Sequence, residues 1–164
     1  MVLLRVLAVV IGVAVVWTVG ASRVPDQMKV PVMSVVPGAQ VTQPFGCSTL
    51  ELEPTAYWCP FHHFHSGIDL AAPQGTEVYT ATSGRAVLGY DPSGAGNYIA
   101  IQFDRHVRVL YCHLAAFRIQ PGAQVQPGQL IGIVGATGLA TGPHVHLEVQ
   151  VDGLPVDPAA WLGS

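Results

Sequence analysis

The stretch Thr141–Val149, TGPHVHLEV, decides how the rest of the chain is read. A Gly-Pro turn at Gly142 and Pro143 leads into a run in which polar and apolar residues alternate. Side chains on a β-strand switch faces at every residue. His144, His146 and Glu148 therefore share one side, while Val145, Leu147 and Val149 point to the other and into a core. Two imidazoles on one sheet face are costly to protonate together, and they suit a metal that takes neutral nitrogen. The plainer alternative is a solvated strand face that happens to carry two histidines.

Working outward, the same strand-and-turn grammar recurs. AQVTQPFG opens it at residues 39–46, and an irregular segment follows over Cys47–Phe64. Residues 67–104 read as strands broken by APQG, TSG and DPSGAGN. VRVLYCHLA is a further strand, QPGAQVQPGQLIGIVGATG holds two short ones, and HVHLEVQVDG is a long last one. The proline of GLPVDPAAWL ends the sheet, and the tail is expected to pack Trp161 against it. Helix signals are scarce, and β-branched runs between glycine-rich turns predict an all-β, antiparallel domain of compact sandwich or barrel-like form.

The composition agrees. The chain has 164 residues, of which 18 are glycine and 13 proline, and only 10% are charged. A formal net charge of −3 with no basic run argues against nucleic acid as a partner. Residues 1–21 differ in kind: Arg5 precedes an uncharged apolar run over residues 6–19, with Val19, Gly20 and Ala21 where a signal peptidase cuts. The run is short for a membrane span of roughly 20 residues. It predicts export, with the segment either cleaved or retained as a membrane tether, and places the domain outside the cytoplasm. Residues 22–38 carry three prolines and read as a linker or arm, leaving 39–164 as the domain. Cys47 and Cys59 flank a loop and suit a disulfide in an oxidising compartment, whereas Cys112 reads as a small buried hydrophobe. Oligomeric state has no signature in the sequence.

A second histidine cluster bears on the first. FHHFHSGIDL sets His65 and Asp69 four residues apart, with Gly67 between them to let the chain turn. Catalytic zinc commonly takes three protein ligands and keeps one position open. His65, Asp69 and His146 would supply two nitrogens and one carboxylate oxygen. His62 and His63 compete for the role or are plain loop residues, and Cys47, Cys59 and His62 form an alternative structural site. In LYCHL, Tyr111 and His113 share strand parity, which would turn both toward the site and Cys112 away from it.

HSGID, YCHL and GPHVHLEV, in this order, resemble the lysostaphin/LytM-type zinc metallopeptidases of family M23, over about Val41 to Trp161. The resemblance implies a compact antiparallel β-fold with one zinc ion in a groove. It implies His65, Asp69 and His146 as metal ligands and His113 and His144 as catalytic histidines. It also implies hydrolysis by metal-activated water of peptide bonds in bacterial peptidoglycan, whether cross-bridge or stem. No HExxH stretch supplies a glutamate base, so proton transfer falls to His113 and His144. Glu148 is placed to orient a histidine from behind. The reading from another class is a non-catalytic module of the same fold that binds the wall or activates other hydrolases. Cys112 and Val109 stand where alanine and threonine are frequent in the family, and the Cys47–His63 segment is unusually rich in Cys and His.

Overall fold

A computed structural model describes residues 29–163 of the chain. The export segment, with the tether over residues 6–19, and residues 22–28 of the arm lie outside the described residues. The strands are β1 (Gln40–Gln43), β2 (Gly46–Ser48), β3 (His63–His65), β4 (Ile68–Ala71), β5 (Glu77–Tyr79), β6 (Gly84–Asp91) and β7 (Gly96–Gln102). They continue with β8 (Val107–Leu114), β9 (Ala116–Phe117), β10 (Gln124–Val125), β11 (Leu130–Ile133), β12 (His144–Val151) and β13 (Leu154–Val156). One short helix, α1 (Pro158–Leu162), closes the described chain, capped by Asp157, whose carboxylate accepts from the Ala159 and Ala160 amides.

Every strand pair is antiparallel. The main sheet runs β1-β4-β12-β8-β7-β6-β10, with β13 also on β12. A second sheet, β5-β11-β9, shares its core, and β2-β3 form a separate ribbon. The all-β fold class read from the alternation is the one observed. Along β12 the even positions from His144 to Glu148 are half-buried, and Val145, Leu147 and Val149 are fully buried. Leu70 of β4, Val109 and Tyr111 of β8, Ile99 and Ile101 of β7, and Val78 and Ile131 of the second sheet complete that core. Burial of a Leu, Ile or Val side chain contributes about 1.5–3 kcal/mol, so this layer fixes the position of β12 and its neighbours.

The arm expected over 22–38 is narrower than the sequence suggested. Val32, Val35 and Val36 are buried in the core, the Tyr79 amide donates to the Val35 carbonyl, and the Val30 amide donates to the Ala81 carbonyl. Val32 opens a single 3-10 turn at Val32–Ser34, and Val35 and Val36 directly follow it. One turn is too short to register as periodicity, and the prolines around it conceal the apolar face. Trp161 packs against the core, as expected, and the Lys29 ammonium donates to its carbonyl at 2.9 Å.

Candidate metal centre and groove

β4 and β12 are adjacent, and their register sets His146 directly opposite Asp69. His65 arrives from β3, fully buried. Its Nδ1 donates to the Pro44 carbonyl at 2.9 Å, because a carbonyl oxygen can only accept. Nε2 of His65 therefore presents a lone pair, 3.1 Å from Asp69 Oδ1 and 2.9 Å from His146 Nδ1. His146 Nδ1 is itself 3.0 Å from the same Asp69 oxygen. Its other nitrogen, Nε2, lies 3.5 Å from Glu148 Oε2.

Three electron-rich atoms thus converge, an arrangement that needs a positive charge at its centre. Burial alone would lower the His146 pKa, yet Asp69 and Glu148 outweigh it and raise the value to about 9. For Asp69, burial raises the pKa, but the His146 and His65 rings overcome that and hold the carboxyl below its usual range. A proton on His146 stands where a cation would. Tetrahedral zinc with bonds of roughly 2.0–2.1 Å sets its ligand atoms roughly 3.3–3.4 Å apart. The observed separations of 2.9–3.1 Å are a few tenths shorter, so the donor set and its spacing fit zinc with little movement. His65, Asp69 and His146 also form the one group of metal-competent side chains found among the described residues.

Beside this cluster lies a groove. Asp69, His113, His144, His146, Glu148 and Cys112 line it, and loops carrying Leu50–Glu53, Gly94–Ala95 and Leu139–Thr141 wall it. It continues past Leu50 and Thr141 to Thr42, Gln43 and Pro143. The His113 and His144 rings face each other at 4.6 Å between centroids. Each donates from Nδ1 to a backbone carbonyl, His113 to Thr137 at 2.9 Å and His144 to Gly142 at 2.8 Å. In the neutral form of each ring the lone pair is therefore on Nε2, and both residues line the groove. Burial pushes the His113 pKa down to about 4, partly offset by its bond to Thr137, so the ring is neutral near pH 7.

His113 reaches the groove by a route different from strand parity. Between Asn97↔Leu114 and Ile99↔Tyr111 the register of β7 and β8 shifts, leaving one extra residue on β8. His113 has φ 64°. This bulge turns Cys112 and His113 to the same side, while Tyr111 is buried in the core with its hydroxyl accepting from the Ala81 amide. The expectation that Tyr111 faces the site and Cys112 faces away is corrected accordingly. Cys112 is 4% exposed, and burial pushes its thiol up to about 12, which removes it as a nucleophile.

The chain bends at Gly67 between β3 and β4, as read, but its φ is not in the left-handed region, so the bend itself does not demand glycine. A Cβ there would sit 2.4 Å from the Leu147 carbonyl oxygen and 2.8 Å from the His146 ring. Close approach is what requires glycine at this position. The Gly67→Ala variant is expected to lose about 1–3 kcal/mol of stability through overpacking. Displacement of the His146 ring should also weaken zinc about 10–100-fold, the range seen when a ligand's support is removed. Urea denaturation and competition with a chelator measure the two effects.

His63 joins β3 and donates from Nδ1 to the Glu53 carbonyl at 2.8 Å, while His62 stays in the loop. Neither reaches the cluster. Cys47 and Cys59 are joined as a disulfide, which removes them from any structural zinc site with His62. Two groove residues were not read from the sequence. Ser66 Oγ donates to Glu148, and Glu53 places Oε1 4.0 Å from His65 Nε2, with burial raising its pKa. For Glu53 the one available signal was its position inside a cysteine-bounded loop.

Comparison with known proteins adds the decisive finding. The pattern of peptidase family M23 matches residues 63–158, more than half of the chain. The chain belongs to peptidase family M23. It is 43% identical over 93 residues to the peptidoglycan DD-endopeptidase ShyA of Vibrio cholerae, covering 57% of this chain and 22% of that protein. This chain thus spans about a fifth of that relative's length. A zinc-containing peptidase from Vibrio cholerae matches with a TM-score of 0.63 and 31% identity, over 80% of this chain and 38% of that one. The catalytic domain of the antimicrobial peptidase lysostaphin from Staphylococcus simulans matches with a TM-score of 0.63 and 29% identity, over 77% of this chain and 93% of that one. The family match takes in His65, Asp69, His113, His144 and His146 but begins after the disulfide loop.

Proposed function

We propose that the chain is a zinc-dependent endopeptidase that hydrolyses peptide bonds of bacterial peptidoglycan. The observation that carries this reading is the convergence of His65 Nε2, Asp69 Oδ1 and His146 Nδ1 within 2.9–3.1 Å of one another, beside a groove. These three side chains would hold one zinc ion. Bound zinc supplies Lewis acidity, making water a competent nucleophile near neutral pH and polarising a carbonyl.

The remaining work falls to the chain's own groups. His113 and His144 present their Nε2 atoms to the groove, accept the proton given up by the attacking water and return it to the leaving amine. The Thr137 and Gly142 carbonyls fix both tautomers, so neither ring must reorient before it accepts. Glu148, held by Ser66, Gln150 and His146, keeps the His146 ring turned so that Nδ1 faces Asp69. The groove walls place the substrate backbone across the cluster.

The name of the 43%-identical relative favours a bond between D-configured residues. The apolar segment at residues 6–19 supports export and work outside the cytoplasm, as a cleaved signal or as a tether. Digestion of purified sacculi by the zinc-loaded chain, followed by mass spectrometry of the released fragments, tests the proposal. New amine and carboxyl ends made by the unmutated chain and absent with His146→Ala are the expected result. Sacculi of several wall types left intact by a chain holding one zinc would instead favour the non-catalytic, hydrolase-activating module.

A further inference from the structure

The loop closed by Cys47 and Cys59 does more than wall the groove. It exposes Tyr57 and Trp58 at 85% and 70% of their surfaces, and Phe61, just past the disulfide, is 57% exposed. Three large aromatic side chains so exposed within five residues are unusual on a soluble face, and such patches mark binding sites. Two of the rings are also braced. Trp58 lies against Phe64 at 4.8 Å between centroids, Phe64 meets Phe45 edge-on at 5.1 Å, and Tyr57 meets His62 at 6.1 Å. Cys59, next to Trp58, is 2% exposed and fixed by the disulfide. Rigid aromatic surfaces of this kind bind at low entropic cost.

We propose that Tyr57, Trp58 and Phe61 form a carbohydrate-binding platform for the N-acetylated pyranose chain of peptidoglycan. This rests on the reading of the groove as a peptidoglycan-peptide site. The aromatic π face is negative, and the axial C–H bonds of a pyranose ring are weakly positive, so the two stack. The local sequence disfavours an anionic partner. No Lys or Arg occurs between residues 30 and 84, and the exposed Glu51 lies in the same loop. An anionic bilayer would want basic residues beside such aromatics.

Position supports the same occupant. Phe64 faces away from its neighbour His65 across β3, so the platform lies on the outer side of the ribbon whose loop contributes Leu50, Leu52 and Glu53 to the groove. A peptide in the groove is covalently joined to a sugar chain, which the outer face is placed to receive.

The test uses the full, zinc-loaded chain and its Trp58→Ala, Tyr57→Ala and Trp58→Phe variants. Binding is measured without turnover, by titrating a tetramer of N-acetylglucosamine and by co-sedimentation with its insoluble, uncharged polymer. Trp58→Ala is expected to weaken glycan binding about fivefold to tenfold, with Trp58→Phe recovering part of the loss. Its melting midpoint and its cleavage of a soluble stem-peptide dimer should stay unchanged, while sacculus digestion slows. Equal binding by all variants, or no binding by the unmutated chain, overturns the platform. Binding to phosphatidylcholine–phosphatidylglycerol vesicles that Trp58→Ala abolishes, without glycan binding, overturns it in favour of a membrane contact. Failure to cut the soluble dimer would count against the endopeptidase reading alone, because glycan binding is scored separately.

Discussion

Replacing His146 with alanine is expected to remove zinc and activity together, and Asp69→Ala should do the same. Each deletion takes away one of three mutually close ligand atoms. The loss in zinc affinity should exceed the roughly 10–100-fold typical of an outer partner, because a direct ligand is gone. In the His146 variant only the buried His65 and the half-buried Asp69 remain of the three donors, 3.1 Å apart in the unmutated chain. Metal analysis after gel filtration, alongside peptide cleavage, reads both effects. His144→Ala is the control, since His144 Nε2 stands 3.8 Å from Asp69 Oδ1 and outside the cluster. If the His144 variant lost zinc and the His146 variant kept it, the roles within HVH would be exchanged.

His113→Ala and His144→Ala are expected to hold zinc and lose turnover. Positioned acid–base groups contribute about 10²–10⁴-fold, equivalent to roughly 3–5 kcal/mol of barrier. The loss should appear in kcat, with KM little changed, because the rings act on the transferring proton and not on remote parts of the substrate. The pH profile carries a sign. Burial depresses the His113 pKa to about 4, so the ring is an acceptor throughout the neutral range. It gains a proton, and ceases to accept one, only as pH falls toward 4. An acid limb of kcat near the ordinary histidine value of about 6.5, unchanged in His113→Ala, would show that another group controls proton transfer.

The fold was legible because β12 alternates without interruption from His144 to Val149, and one buried face fixes the register of its neighbours. The meeting of His65, Asp69 and His146 was legible for the same reason: His146 lies on that strand, and HSGID brings His65 and Asp69 to its edge. His113 was found by its motif and misread by parity. The bulge that turns it depends on an extra residue opposite β7, which only the pairing of two strands reveals. The bend at Gly67 was legible, but its close approach to Leu147 and His146 was not, because that is a tertiary fact. Val32, Val35 and Val36 were hidden within proline-rich sequence, and Glu53 reaches His65 only because a disulfide and the β2–β3 ribbon fold its loop back.

X-ray absorption at the zinc edge of the purified chain, with metal content measured on the same sample, tests the central claim most directly. One zinc per chain with a nitrogen and oxygen shell at roughly 2.0–2.1 Å, and imidazole scattering from two histidines, is the expected result. A sulfur shell at roughly 2.3 Å, or a spectrum unaltered in Asp69→Ala, would contradict a site built on His65, Asp69 and His146.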